Sequence, residues 1–242
     1  MINFRTDLAN ERRDIYRKAN NIEDEIPGVE TQEHEDDKNI KTTKVNILDQ
    51  RGADALGKPI GTYITVDIKD LKIAGEEEIS SAAMAVKNEL TQLIDKHIQK
   101  QDHILVVGLG NMQITPDSLG PKVVQEVDIT RHLLTYAPQY LEEGARMVSA
   151  IAPGVLGTTG IETQEILKGI VDNVQPKLII VIDSLASKSI ERISSTIQLA
   201  DTGITPGAGV GNTRKELSQN TLGVPVIAIG VPMVVDLRYH YR

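Results

Sequence analysis

Two aspartates stand where a carboxylate could do chemistry rather than simply keep the chain soluble. Asp183 follows the apolar run Leu178-Ile179-Ile180-Val181-Ile182, and Asp117 lies in the loop after a second such run, Ile104 to Leu109. An acid that ends a buried strand costs free energy unless it is paired or put to use. Each also has a plainer reading, Asp117 as N-cap of a helix starting near Leu119 and Asp183 as a cap for the segment after it. If the two strands are neighbours, both acids project from the same edge of the sheet. Two nearby carboxylates split their proton affinities, so that one stays protonated while the other ionises. Such a pair can activate a water and protonate a carbonyl or a leaving amine, which is amide hydrolysis.

The other chemical signals are fewer. Pro206-Gly207-Ala208-Gly209-Val210-Gly211-Asn212-Thr213-Arg214-Lys215 reads as a flexible surface loop, as a backbone wall for an extended peptide, or as an anion nest beside Arg214 and Lys215. Gly207, Gly209, Gly211 and Arg214 are therefore candidate substrate-binding residues. Gly108 and Gly110 allow a close turn, but a dinucleotide fingerprint needs glycine where Gln113 stands, so no nucleotide cofactor is expected. His34, His97, His103, His132 and His240 have no metal-binding spacing, and no metal is predicted. There is no Gly-x-Ser-x-Gly elbow, and the absence of cysteine removes disulfides, thiolate sites and a cysteine nucleophile.

The elements that must position these residues follow an α/β pattern. Apolar strands are predicted at 104–109, 147–152, 178–182 and 225–231, alternating with helices from Leu119 to Val127 and from Thr159 to Asn173, the latter with Thr159 as N-cap and Glu162 as its box partner. Strand–helix alternation implies a mostly parallel central sheet flanked by helices. Glu76 to Lys100 reads as a further helix. Val45 to Leu48 and Tyr63 to Ile68, separated by the turn residues Gly57 to Gly61, suggest an N-terminal β-hairpin extension. Residues 1 to about 43 are charge-rich and read as a loosely packed arm.

Composition sets the outer bounds. The 242 residues suffice for one α/β domain, and 3 % aromatics with a single Phe imply an aliphatic core. The net charge of −8 argues against binding a phosphate backbone. The apolar run from Val224 to Val235 is too short to span a bilayer, and residues 1–7 lack a signal peptide's apolar stretch, so a cytoplasmic protein is expected.

Six stretches carry a resemblance: VVGLGNMQITPDSLGPKVV at 106–124, ITRHLL at 129–134, SAIAPGVLGTTGIET at 149–163, IIVIDSLASKSIERI at 179–193, TIQLADTGITPGAGVGNTRKELS at 196–218 and TLGVPVIAIGVPMVVD at 221–236. In order and spacing they resemble the germination proteases, endopeptidases that degrade small acid-soluble spore proteins. The resemblance implies an aspartate-dependent mechanism with Asp117 and Asp183 as the implicated pair, and a fold similar to that of the metal-binding hydrogenase-maturation endopeptidases. It implies a homotetramer in the spore core. It also implies a zymogen, with residues 1–7 as propeptide, 8–242 as a single peptidase domain, and the cut between Asp7 and Leu8, after an acidic and before an aliphatic residue. Family members continue beyond the last strand, so the C-terminal portion of the family is expected to be missing here. A metal-assisted maturation peptidase of related fold, or an inactive relative that only binds peptide, are the alternatives.

Overall fold

Strands covered on both faces read as unbroken apolar runs, whereas half-exposed strands mix polar and apolar residues. Both kinds share a single sheet in the computed structural model, which describes residues 5–38, 40–69, 74–211 and 214–235. The chain opens with helix α1 (Ala9–Asn20), strands β1 (Val29–Glu35) and β2 (Ile40–Ile47), helix α2 (Gln50–Leu56), strand β3 (Gly61–Ile68) and the long helix α3 (Glu76–Asp95). It continues with β4 (Ile104–Gly108), α4 (Leu119–Glu126), α5 (Arg131–Tyr136), β5 (Val148–Ile151), α6 (Leu156–Thr159), α7 (Thr163–Val174), β6 (Leu178–Ser187), β7 (Thr196–Ala200), α8 (Gln219–Leu222) and β8 (Val226–Val235).

Among the described residues the sheet order is β1-β2-β3-β7-β8-β6-β4-β5. The α/β class stands, but the sheet is mixed rather than mostly parallel. β8, β6, β4 and β5 run parallel to one another, while β1–β2, β2–β3, β3–β7 and β7–β8 are antiparallel. The cause is β7, which the sequence reading passed over. It inserts antiparallel between β8 and β3 and so joins the N-terminal strands to the parallel half.

The expected hairpin is present as β2 and β3, but a helix occupies its connection. Asp49 starts α2 by accepting the backbone N–H groups of Arg51 and Gly52, and Gly57 ends it in the left-handed region. The loosely packed arm is contradicted by α1 and β1. Leu8 and Ala9 are fully buried, and Ile26 and Val29 pack with Val45, Ile47, Leu56 and Tyr63. Charge on the exposed sides of α1 and β1 concealed these few anchors. Two helix limits also shift. α3 ends at Asp95, and Thr159 closes α6 instead of capping α7, because Gly160 turns the chain at φ 71° before α7 starts behind Glu162.

Alternation along the strands sorts the core into layers. Ile104, Val106, Leu178, Ile180, Ile182, Leu199 and Ile227 face α3 and α4, packing with Ala82 and Leu93 and against Val123 and Val124. Leu105, Val107, Ile179, Val181 and Val226 point the other way, onto Leu167 and Val171 of α7 and Leu222 of α8. No helix among the described residues is long and apolar enough to cross a membrane.

Candidate active site

β4 and β6 are adjacent parallel strands, so the expectation that their two acids share an edge is met. Asp117 and Asp183 line one cleft of about 620 Å³. Asp183 does not terminate its strand as anticipated: β6 continues to Ser187, leaving this carboxylate inside the sheet and 6 % exposed. It accepts the N–H of Ser184 at 2.8 Å. Asp117 closes a short 3-10 turn from Thr115, and Ser118, not Asp117, holds the N-cap position of α4. The Asp117 carboxylate instead takes the backbone N–H of Asn111 at 2.9 Å, across the loop. Gly110 makes that closure possible. Its φ is +114°, and a β-carbon there would lie 2.0 Å from the Asp117 carbonyl oxygen.

The two acids differ in their hold on a proton. Burial pushes Asp183 up to about 8, aided by the negative charges of Asp117 and Asp7 and opposed by the Ser184 hydrogen bond. Burial also raises Asp117, partly offset by the Asn111 N–H. At neutral pH Asp183 therefore carries its proton. Both carboxyls thus hold a proton more tightly than an exposed acid does, for the same first cause, burial.

The chain's own N-terminal segment reaches this cleft: Asp7 lines it, while Thr6, Leu8 and Ala9 beside it are fully buried. Asp7 donates its N–H to the Ala186 carbonyl at 2.9 Å, and its carboxylate accepts the Ala186 N–H at 2.8 Å. Gln198 of β7 donates to the Asp7 carbonyl at 3.2 Å and accepts the Ala9 N–H at 2.7 Å. On the far side Glu11, 7 % exposed, accepts the Thr6 hydroxyl at 2.5 Å and the Lys188 N–H at 2.8 Å, with Arg192 3.4 Å away. Arg12 binds the Thr6 carbonyl at 2.9 Å.

The glycine loop is only partly assembled around the cleft. Gly207 and Arg214 line it. Gly209 is packed under Asp7, whose Oδ2 would lie 2.2 Å from any β-carbon at that position. Gly211 stands apart, with no atom of the described residues within 4 Å of the corresponding point. Gln198, Glu11 and the Ala186 backbone are the contributors that the sequence reading missed. One signal was available for Gln198, a polar residue alternating with Ile197 and Leu199 in an otherwise apolar stretch. Ser184 also faces the cleft, its hydroxyl buried and without a partner among the described residues.

An α/β sheet that brings two carboxylates and a held segment of its own chain to one cleft has an arrangement suited to acting on peptide bonds. The family model described as germination protease matches residues 5–238. The germination protease of Caldanaerobacter subterraneus subsp. tengcongensis is 52 % identical over 241 residues, covering 98 % of this chain and 70 % of that protein. That of Clostridium acetobutylicum is 49 % identical over 237 residues, covering 98 % and 72 %, and that of Bacillus cereus strain ATCC 10987 is 46 % identical over 233 residues, covering 96 % and 63 %. The chain belongs to the germination protease family, a family of endopeptidases.

Proposed function

We propose that this endopeptidase uses Asp117 and Asp183 as its catalytic pair, that small acid-soluble spore proteins are its substrates, and that residues 1–7 are a propeptide removed by a cut between Asp7 and Leu8. Residues 1–4 of that propeptide lie outside the described residues, as does the tail from Asp236. Assembly as a homotetramer in the spore core belongs to the same reading. The observation that carries it is Asp7 itself, hydrogen-bonded to Ala186 in the cleft that both other aspartates line.

The roles follow from the proton affinities. Ionised Asp117 takes a proton from water as the water oxygen bonds to the carbonyl carbon. Asp183, protonated to about pH 8, gives its proton to the carbonyl oxygen as negative charge develops there. When the tetrahedral intermediate collapses, the C–N bond breaks, the amine leaves with a proton from Asp117, and Asp183 recovers its own from the hydroxyl. The products are a carboxylic acid and an amine. A metal-assisted route, as in the hydrogenase-maturation enzymes, would need a donor set, and no group of three or more His, Cys, Asp or Glu side chains among the described residues is placed to hold an ion. No step is therefore routed through a metal.

The test is mass spectrometry of the purified chain during incubation, alone and with a small acid-soluble spore protein. The expected result is loss of the first seven residues, cleavage of the added protein at an acidic–aliphatic bond, and neither event in folded Asp117→Asn or Asp183→Asn. Wild-type processing by a folded Asp183→Asn chain would sink the carboxylate mechanism. A sedimentation mass well below four chains would remove the tetramer.

A further inference from the structure

Strand register puts three residues at the same level across the sheet. Asp183 of β6 pairs with Gly230 of β8, and Gly230 pairs with Gln198 of β7. Directly paired residues share a face. Here it is the face away from α3 and α4, because Leu199, next to Gln198, and Ile182, next to Asp183, both pack toward those helices. Asp183 and Gln198 thus flank Gly230, which has no side chain, at roughly 10 Å, two inter-strand spacings. The peptide at residues 7–9 is bound at this level.

Gln198 is 6 % exposed, and both ends of its amide bond that peptide. Its NH₂ donates to the Asp7 carbonyl, and its oxygen accepts from the Ala9 N–H. These two bonds bracket the Asp7–Leu8 peptide bond, one before it and one beyond it. They use only main-chain groups of the bound segment, where it enters α1, and so do not depend on its side chains. We propose that Gln198 is the residue that holds the bond to be cut: its oxygen sets the register through the second residue after the bond, and its N–H stabilises the negative charge that develops on the carbonyl oxygen. In this proposal the carbonyl is held from the β7 side, and the acids, one on β6 and one in the loop after β4, act from the other. Removing one preorganised donor of this kind lowers kcat by about 10² to 10³. The inference rests on the cut between Asp7 and Leu8 but not on which groups activate the water.

The experiment follows loss of residues 1–7 by mass spectrometry in full-length wild type, Gln198→Ala, Gln198→Glu, Asp117→Asn and Asp183→Asn, between pH 5 and 8.5, with melting temperature as the check on folding. Gln198→Ala is expected to process about a hundredfold more slowly. Gln198→Glu keeps the acceptor and loses the donor when ionised. It should be slowed similarly at pH 8 and approach wild type toward pH 5, where its carboxyl regains a proton, a pH signature that a purely structural role would not give. Should Gln198→Ala fail to fold, the isosteric Gln198→Glu decides alone. Wild-type processing by folded Gln198→Glu at pH 8, or by folded Gln198→Ala, overturns the inference. So does a wild-type cut at any other bond, or none, and a misplaced cut leaves the two-aspartate mechanism standing. Slow Gln198 variants beside fully active Asp117→Asn and Asp183→Asn chains would do the reverse, supporting Gln198 and removing the carboxylate pair.

Discussion

The two halves of the sheet do different work. The parallel half, β8-β6-β4-β5, carries the two acids and, through the Ala186 backbone of β6, one hold on Asp7; the antiparallel half, β1-β2-β3-β7, adds Gln198 and the packing around Ala9. β6 is buried almost throughout, whereas β1 is buried only at Val29. A catalytic carboxylate needs the low-dielectric setting that a strand covered on both faces provides. β7, which bonds the N-terminal segment, is itself buried at all but Ile197, so the antiparallel half opens only toward β1.

This contrast can be broken most sharply at Asp183. Asp183→Asn should slow processing by about 10³-fold or more, within the range of lost acid–base catalysis, while leaving the fold intact. The same variant also tests stability. In the folded chain Asp183 keeps its proton to about pH 8, whereas an unfolded chain releases it near pH 4. Between those values the unfolded state binds fewer protons, so this group's contribution falls as pH rises, by at most about 1.4 kcal/mol per pH unit. Asp183→Asn should flatten that part of the stability curve in denaturant titrations from pH 4 to 8.

Activity should follow a bell, rising as Asp117 ionises and falling as Asp183 loses its proton near pH 8. The Asp7 charge helps to hold that proton until the cut removes Asp7, so the upper limb for processing of the full chain should lie at higher pH than the limb for cleavage of added substrate by the processed chain. Coincident limbs would place the group responsible elsewhere. On the peptide-holding side, Gly209→Ala would force Asp7 off its seat and should slow processing by about ten- to a hundredfold, as expected for a displaced reacting group. Tyr63→Phe probes the antiparallel half without touching the chemistry. It removes the phenol that donates to the Pro59 carbonyl at 2.9 Å and accepts from Thr202 at 3.1 Å, and should cost about 1 kcal/mol in urea unfolding with the processing rate unchanged. A comparable loss of rate would mean that the two halves are less separate than described.

What the sequence made legible follows the same division. Runs such as Leu178 to Ile182 announce a doubly covered strand, and an acid beside one announces a site. That logic found both aspartates and their shared cleft. It could not find β1, whose Val29-Glu30-Thr31-Gln32-Glu33-His34-Glu35 has one buried residue, or β7, five residues long with a glutamine at its centre. Their conformations are imposed by partner strands distant in sequence, Ile197 by Val66 and Val29 by Ile47. Gly209 was read from the sequence as part of a wall for a bound peptide or an anion nest, but the constraint the fold places on it is the Asp7 carboxylate packed against it, a contact between residues far apart in the chain.

Under the proposed cut, the depth at which Leu8 sits becomes the condition for turning the enzyme on. Leu8 has no exposure, and among the described residues its N–H is held by the Thr6 hydroxyl, at 3.1 Å, which itself donates to the buried Glu11 carboxylate. Such a cut would turn a neutral amide nitrogen into a buried ammonium and carry the hydroxyl away with the severed piece. A buried cation costs several kcal/mol unless a partner meets it. The new terminus would therefore have to reach Glu11, left without its Thr6 donor, or move out to water, and in either case Gln198 would lose the carbonyl it held.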